Sequence, residues 1–235
     1  EQLVEFKKDA EKLIKKGIKK DEAIFQVLRK YISDAKPVRF EGNNYSDEWK
    51  EDALKRGLTN VSVVPEAYDA YLTDKSIKLF TRFGVLSERE IVARNHVRLD
   101  TYTKKVQIES RVLGDLAINH IVPTAVKYQT LLIENVKGLK DVFGEKDFRD
   151  LAVGRIELIK SVGQHISTIK AKAGEMIEAR KVANKIEDER EKASAYANKV
   201  FPFLDDIRYH IDKLELIVDD EMWPLPKYRE LLFNR

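Results

Sequence analysis

The hydrophobic positions of this chain recur at intervals of three and four over most of its length, which is typical of amphipathic helices. The longest such stretch begins at Ser87, which has Glu90 three residues later, as in a capping box. No strong helix breaker follows until Pro123, and the pattern resumes beyond it as far as Gly138. The sequence therefore predicts one long helix that runs through a proline, with apolar positions on or near one stripe at Leu99, Tyr102, Val106, Leu113, Leu116 and Leu131.

Pro123 is the feature of this helix that has the largest physical consequence. A proline inside a helix removes one backbone hydrogen bond and clashes with the carbonyl group four residues earlier. We expect a bend there unless the surrounding packing holds the helix. Two polar residues, Asn119 and His120, lie beside the proline. They either contact another domain or make buried hydrogen bonds near the bend, and the sequence leaves both interpretations open.

Two more long helices are predicted in the second half of the chain. The seam of the first consists of Ile156, Ile159, Val162, Ile166, Ile169, Ala173 and Met176. The stretch 180–199 is charged apart from small alanines, so we expect it to project into solvent or turn over, with a hairpin tip at 185–194. The stripe of the returning helix consists of Val200, Leu204, Ile207, Ile211, Leu214 and Val218. We therefore predict a mainly α fold, in which residues 87–235 form a bundle of long antiparallel helices with a coiled-coil-like hairpin extension.

Residues 1–86 are broken into shorter pieces and are predicted to form a packed connector. Short helices are expected to end at Gly17, before Pro37, at Gly57 and near Gly84. Ser46 is followed by two acidic residues and is predicted to cap the start of the third helix. A few extended segments are expected between these helices, at 37–46 and 59–64.

The C-terminal stretch 219–235 is too apolar to remain free in water. It contains Trp223, Tyr228 and Phe233 together with Leu231 and Leu232, and each large apolar side chain left exposed forfeits roughly 1.5 to 3 kcal/mol. We expect this tail to dock, and we favour docking on its own chain over docking on a neighbouring subunit. These three aromatic residues are candidate structural or interface residues, together with Glu109, Asn119, His120 and Pro123.

Composition narrows the class of protein further. The 235 residues include 43 basic and 40 acidic side chains mixed along nearly every helix, so the net charge of +3 gives no basic surface for nucleic acid. The chain has no cysteine, which excludes disulfides and thiolate metal sites and favours a reducing compartment. The first 16 residues form a charged amphipathic pattern rather than a signal peptide, and no long apolar run predicts a membrane span. We expect a soluble, cytoplasmic protein.

No residue pattern in this chain predicts a reaction. A di-iron helical bundle needs Glu-x-x-His pairs, and none of the four histidines has a glutamate three residues before it. Glu109 and His120 lie three turns apart on one side of the predicted helix. They either share a ligand with another element or form a buried, hydrogen-bonded structural pair, and we favour the pair. We predict no catalytic, cofactor-binding or metal-binding residue.

Several segments together resemble the C-terminal region of type III glutamine synthetases, the large bacterial enzymes of that family. The resemblance runs along nearly the whole chain in the same order, and the segments are VRFEGNNYSDEW (38–49), RGLTN (56–60), LFTRFGVLSERE (79–90), residues 107–141 around Pro123, and MWPLPKYRELLF (222–233). It implies a parent enzyme that joins ammonia to glutamate to give glutamine, using ATP and Mg²⁺. In that family the metal-binding, nucleotide-binding and phosphate-binding residues belong to domains upstream, and none of their motifs matches residues here.

The resemblance implies that this chain is a helical accessory domain that follows an absent catalytic domain. On this hypothesis it contacts the catalytic domain of its own chain and neighbouring subunits of a homo-oligomer, with no nucleic-acid or membrane partner. The alternative is a free-standing helical module that binds another helix through its long apolar stripes.

Overall fold

The fold is almost entirely helical. The computed structural model describes residues 1–233, with the side chains of residues 228 and 229 left aside, and contains no β-strand in that range. The α-helices are α1 (Gln2–Lys15), α2 (Lys20–Asp34), α3 (Asp47–Lys55), α4 (Val64–Asp69), α5 (Asp74–Arg82), α6 (Glu88–Asp115), α7 (Val122–Val142), α8 (Glu145–Asn184), α9 (Glu189–Ala195), α10 (Pro202–Ile217) and α11 (Tyr228–Leu232). The predicted fold class is confirmed.

The chain divides into two compact units, Glu1–Ile91 and Val92–Arg235. In the first unit the predicted helix boundaries are observed: Gly17 and Gly57 follow α1 and α3 with φ values of +89° and +75°, which glycine adopts without strain. The Ser46 hydroxyl accepts from the Trp49 amide at 3.3 Å and so caps α3. The piece predicted to be extended at 37–46 instead begins in a 3₁₀ turn, Lys36–Val38; the backbone is extended at Arg39 and, in the second piece, at Val63, and neither piece forms a strand. The role of residues 1–86 as a connector stays a prediction.

The second unit is built around α8, which packs against α7 on one side and α10 on another. The predicted seams of these helices form the core. Five residues of the predicted α8 seam and five of the stripe predicted for the returning helix are buried, namely Val162, Ile166, Ile169, Ala173, Met176, Val200, Ile207, Ile211, Leu214 and Val218. Because short turns join α7 to α8 and α9 to α8, neighbouring helices run antiparallel.

Residues 88–142 form one helical rod of 55 residues that passes through Pro123, as predicted, and it extends four residues beyond Gly138. At its start the Ser87 and Glu90 groups make the predicted capping box, with the Ser87 amide 2.8 Å from the Glu90 carboxylate. Just before the proline, residues Leu116–Ile121 form a π-helical turn. The Val122 amide donates to the Ala117 carbonyl, five residues earlier, and this wider turn lets the helix continue into a residue that has no N–H.

This first π turn explains why the prediction for Leu131 is wrong. Leu131 has 52% of its surface exposed, whereas Leu132 beside it is half-buried. A π turn adds one residue to the helix, and one residue corresponds to about 100° of rotation. The apolar stripe therefore continues on α7 one position later than an uninterrupted period predicts.

A second π turn lies at Tyr196–Val200, again just before a proline, Pro202. The Phe201 amide donates to the Tyr196 carbonyl at 2.9 Å, which is also a bond spanning five residues. Aligned on their prolines, the two sites have the sequences NHIVP (119–123) and NKVFP (198–202). In both, the asparagine and the basic residue are exposed, while the residue two before the proline is buried. The same local arrangement, a π turn just before a proline, therefore occurs twice in one bundle.

The hairpin predicted at 185–194 is present, because α8 ends at Asn184 and α9 begins at Glu189. Most of its charged residues are exposed, while Arg190 and Lys192 are half-buried. The alanines within and beside the hairpin, Ala183, Ala193 and Ala195, are buried. The α6 helix contacts this region through His96, whose Nδ1 lies 2.6 Å from a Glu189 carboxylate oxygen. Of the two predicted outcomes for the stretch 180–199, turning over is therefore the one observed. The stretch also packs on α6.

Candidate functional site

Three of the predicted structural or interface residues, Pro123 and its neighbours Asn119 and His120, lie on the surface. Asn119 and His120 are exposed in the first π turn, and Pro123 is exposed in the first turn of α7. The Asn119 side-chain amide donates to an Asp115 carboxylate oxygen 2.5 Å away, one turn earlier on the same helix. Buried hydrogen bonding near the bend therefore does not account for Asn119 and His120. Contact with another domain is the interpretation that stays open.

The buried pair that we favoured for Glu109 and His120 is wrong. Both side chains are exposed. The physical reason lies in the regular part of the rod: Glu109 is on the solvent side of α6, so a partner on the same side cannot form a buried pair with it. Glu109 instead influences Tyr102, whose phenol pKa is raised first by burial and then by the nearby Glu109 carboxylate.

Trp223 anchors the C-terminal tail to the chain's own core. Its side chain is 8% exposed and belongs to the main hydrophobic cluster, with Val218 buried and Met222 and Leu225 packed against that cluster. The Lys227 ammonium lies 5.9 Å from the centroid of the indole ring and donates to the Glu215 carbonyl at 2.8 Å. The first part of the tail therefore docks on its own chain.

The end of the tail is different, because its apolar residues face solvent. Leu231, Leu232 and Phe233 are exposed by 58%, 59% and 75% of their surfaces. The side chain of Tyr228, another predicted interface residue, lies outside the described part of the structure. Three adjacent exposed apolar residues at the end of an anchored tail are typical of a contact that another polypeptide surface completes.

A hydrogen-bonded group that the sequence analysis missed connects α6 to the hairpin. The hydroxyl of the fully buried Tyr196 donates to the side-chain amide oxygen (Oδ1) of Asn184 at 2.7 Å. The Gln107 side-chain amide donates both to that oxygen, at 3.1 Å, and to the Tyr196 hydroxyl, at 3.2 Å. The three residues are 12 to 89 positions apart, so no spacing in the sequence indicates them. They fix the distance between the rod and the hairpin.

A second unpredicted pair consists of His165 on α8 and His210 on α10. Their Nδ1 atoms are 2.8 Å apart, and both rings are half-buried. Burial lowers the pKa of His165, and the neighbouring His210 and Lys213 lower it further. Local motifs in the sequence do not indicate this pair, because the two histidines are 45 residues apart and lie on different helices.

In the first unit, two of the segments that support the family resemblance meet around Trp49. The Phe40 ring stacks on Trp49 with centroids 4.5 Å apart, and the Arg56 guanidinium lies 5.4 Å from the Trp49 centroid. Arg56 also donates to the Arg39 carbonyl at 2.7 Å and pairs with Asp52 at 2.5 Å. This group, the Trp49 cluster, holds the segments 38–49 and 56–60 together.

Across residues 1–233, no three His, Asp or Glu side chains lie close enough together to hold a metal ion. Within the same range, no helix has both the length and the apolar content needed to cross a bilayer. The distinctive features are instead those of a packed helical frame that has polar groups at its two π turns and apolar groups at its C-terminal end.

Comparison with known proteins places this frame in a family. Residues 23–140 match the glutamine synthetase C-terminal domain, and this match spans half of the chain. The match includes the Trp49 cluster and the first π turn with Pro123. The fold is therefore that of a helical enzyme domain, and the chain belongs to the glutamine synthetase C-terminal domain family.

Individual relatives extend the similarity over nearly the whole chain. The chain is 52% identical over 234 residues to a glutamine synthetase of Bacteroides fragilis, covering all of this chain and 32% of that protein. It is 30% identical over 213 residues to a glutamine synthetase of Butyrivibrio fibrisolvens, and 29% identical over 198 residues to a type-3 glutamine synthetase of Dictyostelium discoideum. These alignments cover 91% and 84% of this chain but only 30% and 27% of the relatives. The chain thus spans about a third of the length of the proteins that it matches.

Proposed function

We propose that this chain is the helical accessory domain of a type III glutamine synthetase, and that it supports the catalytic domain and shapes the oligomer without catalysing a reaction itself. The observation that supports this most directly is the alignment of all of this chain with only 32% of a glutamine synthetase. The rest of such an enzyme has room for the substrate-binding and metal-binding residues.

The parent enzyme would ligate ammonia to glutamate in the cytoplasm, using ATP and Mg²⁺ bound by its catalytic domain. The contribution of this chain is mechanical. A 55-residue rod held against α8 and the hairpin keeps its shape when force or binding acts on one end, because the core and the Tyr196 hydrogen bonds fix each helix to the next. Such a frame suits the bracing of one subunit against another.

The two kinds of exposed group suggest how contacts are divided. At the first π turn, Asn119 and His120 present hydrogen-bonding groups, and we assign them to the catalytic domain of the same chain. At the tail end, Leu231 and Phe233 present apolar surface, which we assign to a neighbouring subunit. Apolar side chains that become buried at an interface contribute most of its stability.

The test of the accessory role uses a full-length enzyme that contains this domain. Removing the part that corresponds to residues 87–235 is expected to yield smaller assemblies in light scattering and to lower glutamine formation. An intact assembly with normal activity would contradict the proposal. In parallel, this chain alone should form no glutamine from ATP, glutamate, ammonia and magnesium. Turnover by the isolated chain would place an active site within it.

A sharper variant tests the tail in the same full-length enzyme. The double substitution Leu231→Ser and Phe233→Ser is expected to shift the assembly toward smaller species, because it removes the exposed apolar surface without touching the Trp223 anchor. Leu216→Ser is the matched control, since Leu216 is an 82% exposed apolar residue of α10 and not of the tail. Equal masses for the tail variant and the wild-type enzyme would show that the tail end makes no subunit contact.

A further inference from the structure

The half-buried imidazoles of His165 and His210 converge from two different helices onto one point. Their Nδ1 atoms, 2.8 Å apart, face each other, so at least one lone pair points at the neighbouring ring. A single metal ion bound to two imidazole nitrogens at about 2.05 Å each holds those nitrogens about 2.9 to 3.4 Å apart, for angles between a right angle and a tetrahedral one. The observed separation is within a few tenths of an ångström of that range.

The surroundings of the pair fix its geometry. The Tyr209 ring meets His210 edge-on, with centroids 5.2 Å apart and an interplanar angle of 86°. The Lys213 ammonium lies 5.2 Å from the centroid of the Tyr209 ring, and its charge helps to lower the pKa of His165. Asp206, one turn before His210, has a carboxylate oxygen 4.0 Å from the Lys172 ammonium. Two imidazole nitrogens are therefore held 2.8 Å apart on the α8–α10 interface, with one cation nearby.

We propose that His165 and His210 form a two-histidine binding site for a borderline divalent transition-metal ion, of the Zn²⁺, Ni²⁺ or Cu²⁺ type. Imidazole nitrogen prefers these ions, whereas Mg²⁺ prefers oxygen ligands. The protein supplies two ligands, and water completes the remaining positions of the ion. The site goes beyond the proposed accessory function and does not depend on it. Its structural effect is to crosslink α8 to α10.

The proton balance of binding is simple. In the metal-free neutral pair, one ring carries its proton on Nδ1 and donates it to the other Nδ1. When the ion binds, that proton moves to Nε2 of the same ring through exchange with water, and both Nδ1 lone pairs bond to the metal. The ion loses two water ligands, and the neutral pair releases no proton. A pair that holds one extra proton releases that proton on binding.

The test is a titration of this chain with Zn²⁺ and Ni²⁺ in chelator-treated buffer, followed by calorimetry and thermal denaturation. We expect one ion per chain and a melting temperature that rises with the logarithm of the metal concentration, with no response to Mg²⁺. His165→Ala and His210→Ala should each weaken metal binding at least about tenfold, because the one remaining imidazole cannot chelate the ion. His120→Gln is the matched control, since His120 is exposed on another helix and should leave the affinity unchanged.

A measurement on the unsubstituted chain guards against variants that fold poorly. Nitrogen NMR of the imidazoles should show Zn²⁺ shifting the Nδ1 signals of His165 and His210 while leaving His120 unchanged. Lys213→Gln should tighten binding, because it removes a positive charge that acts on His165. The proposal is overturned if the wild-type chain shows no saturable binding below about 1 mM, if both alanine variants retain full affinity, or if Lys213→Gln leaves the affinity unchanged.

Discussion

The Phe201 amide donates to the Tyr196 carbonyl, five residues earlier, at 2.9 Å, and the next residue is Pro202. The same relationship joins Val122 to Ala117 in front of Pro123. A regular α-helix would need an N–H at each proline to bond four residues back, and proline has none. A π turn supplies an extra residue at the point where that bond is lost. Both helices therefore continue past a proline without ending.

The π turn can be tested by length changes at the exposed Asn119. Deleting Asn119 alone should lower the free energy of unfolding by about 3 kcal/mol or more, because Pro123 then lies within a regular α-helix. Deleting Asn119 together with Pro123→Ala should recover most of that loss, since a regular helix with one residue fewer presents the same faces to the core. Pro123→Ala alone is the control, and chemical denaturation measures all three. A deletion as stable as the wild-type chain would contradict the explanation.

The one-residue shift of the apolar stripe predicts different costs for two adjacent leucines. Leu132→Ala should destabilise the chain by about 1 to 2 kcal/mol, as its side chain is half-buried on α7. Leu131→Ala should cost less than about 0.5 kcal/mol, because Leu131 is exposed. Urea denaturation followed by circular dichroism distinguishes them. The reverse order would mean that the stripe continues through the proline without a shift.

The hydrogen bonds of Tyr196 should contribute measurably to the free energy of unfolding. Tyr196→Phe keeps the buried ring but removes the hydroxyl, which leaves Asn184 and Gln107 each without one partner. We expect a loss of about 1 to 3 kcal/mol in the free energy of unfolding. Tyr209→Phe is the comparison, since the ring of Tyr209 is 57% exposed, and it should change stability by less than about 0.5 kcal/mol. Equal stabilities for the two variants would show that the Tyr196 hydroxyl does not help to hold the hairpin.

The tail anchor predicts a large effect for one substitution. Trp223→Ala removes a nearly fully buried indole from the core and should cost about 3 to 5 kcal/mol. It should also make the segment after Val218 more sensitive to limited proteolysis, because the Lys227 ammonium loses its contact with the indole ring. Leu216→Ala, on the exposed face of α10, should alter neither property. A Trp223→Ala chain that resists protease like the wild type would show that the tail is held elsewhere.

Much of this architecture is local and was therefore accessible from sequence. The seam from Val162 to Met176 is a repeating pattern along one helix, and burying it is the main source of stability for such a helix. The glycine after α1 and the serine before α3 act on their immediate neighbours, so their effects are predictable from a few residues. The family resemblance rested on segments whose order along the chain is itself a sequence property.

Two predictions failed for different reasons. The buried pair of Glu109 and His120 was wrong because Glu109 faces solvent on the regular α6 helix. The prediction for Leu131 assumed a constant helical period through Pro123. The chain uses a π turn instead, because the backbone at the proline and the packed faces on both sides must be satisfied together. That choice depends on which faces α8 covers, and no local pattern contains this information.

Sequence by itself determined that this protein is helical, where most of its helices begin and end, and which faces they bury, because these depend on residues three or four positions apart. Tertiary structure alone decided which groups meet across helices. The Tyr196, Asn184 and Gln107 bonds and the facing His165 and His210 rings join residues 12 to 89 positions apart. Such contacts form only when the packing of whole helices sets their relative height and rotation.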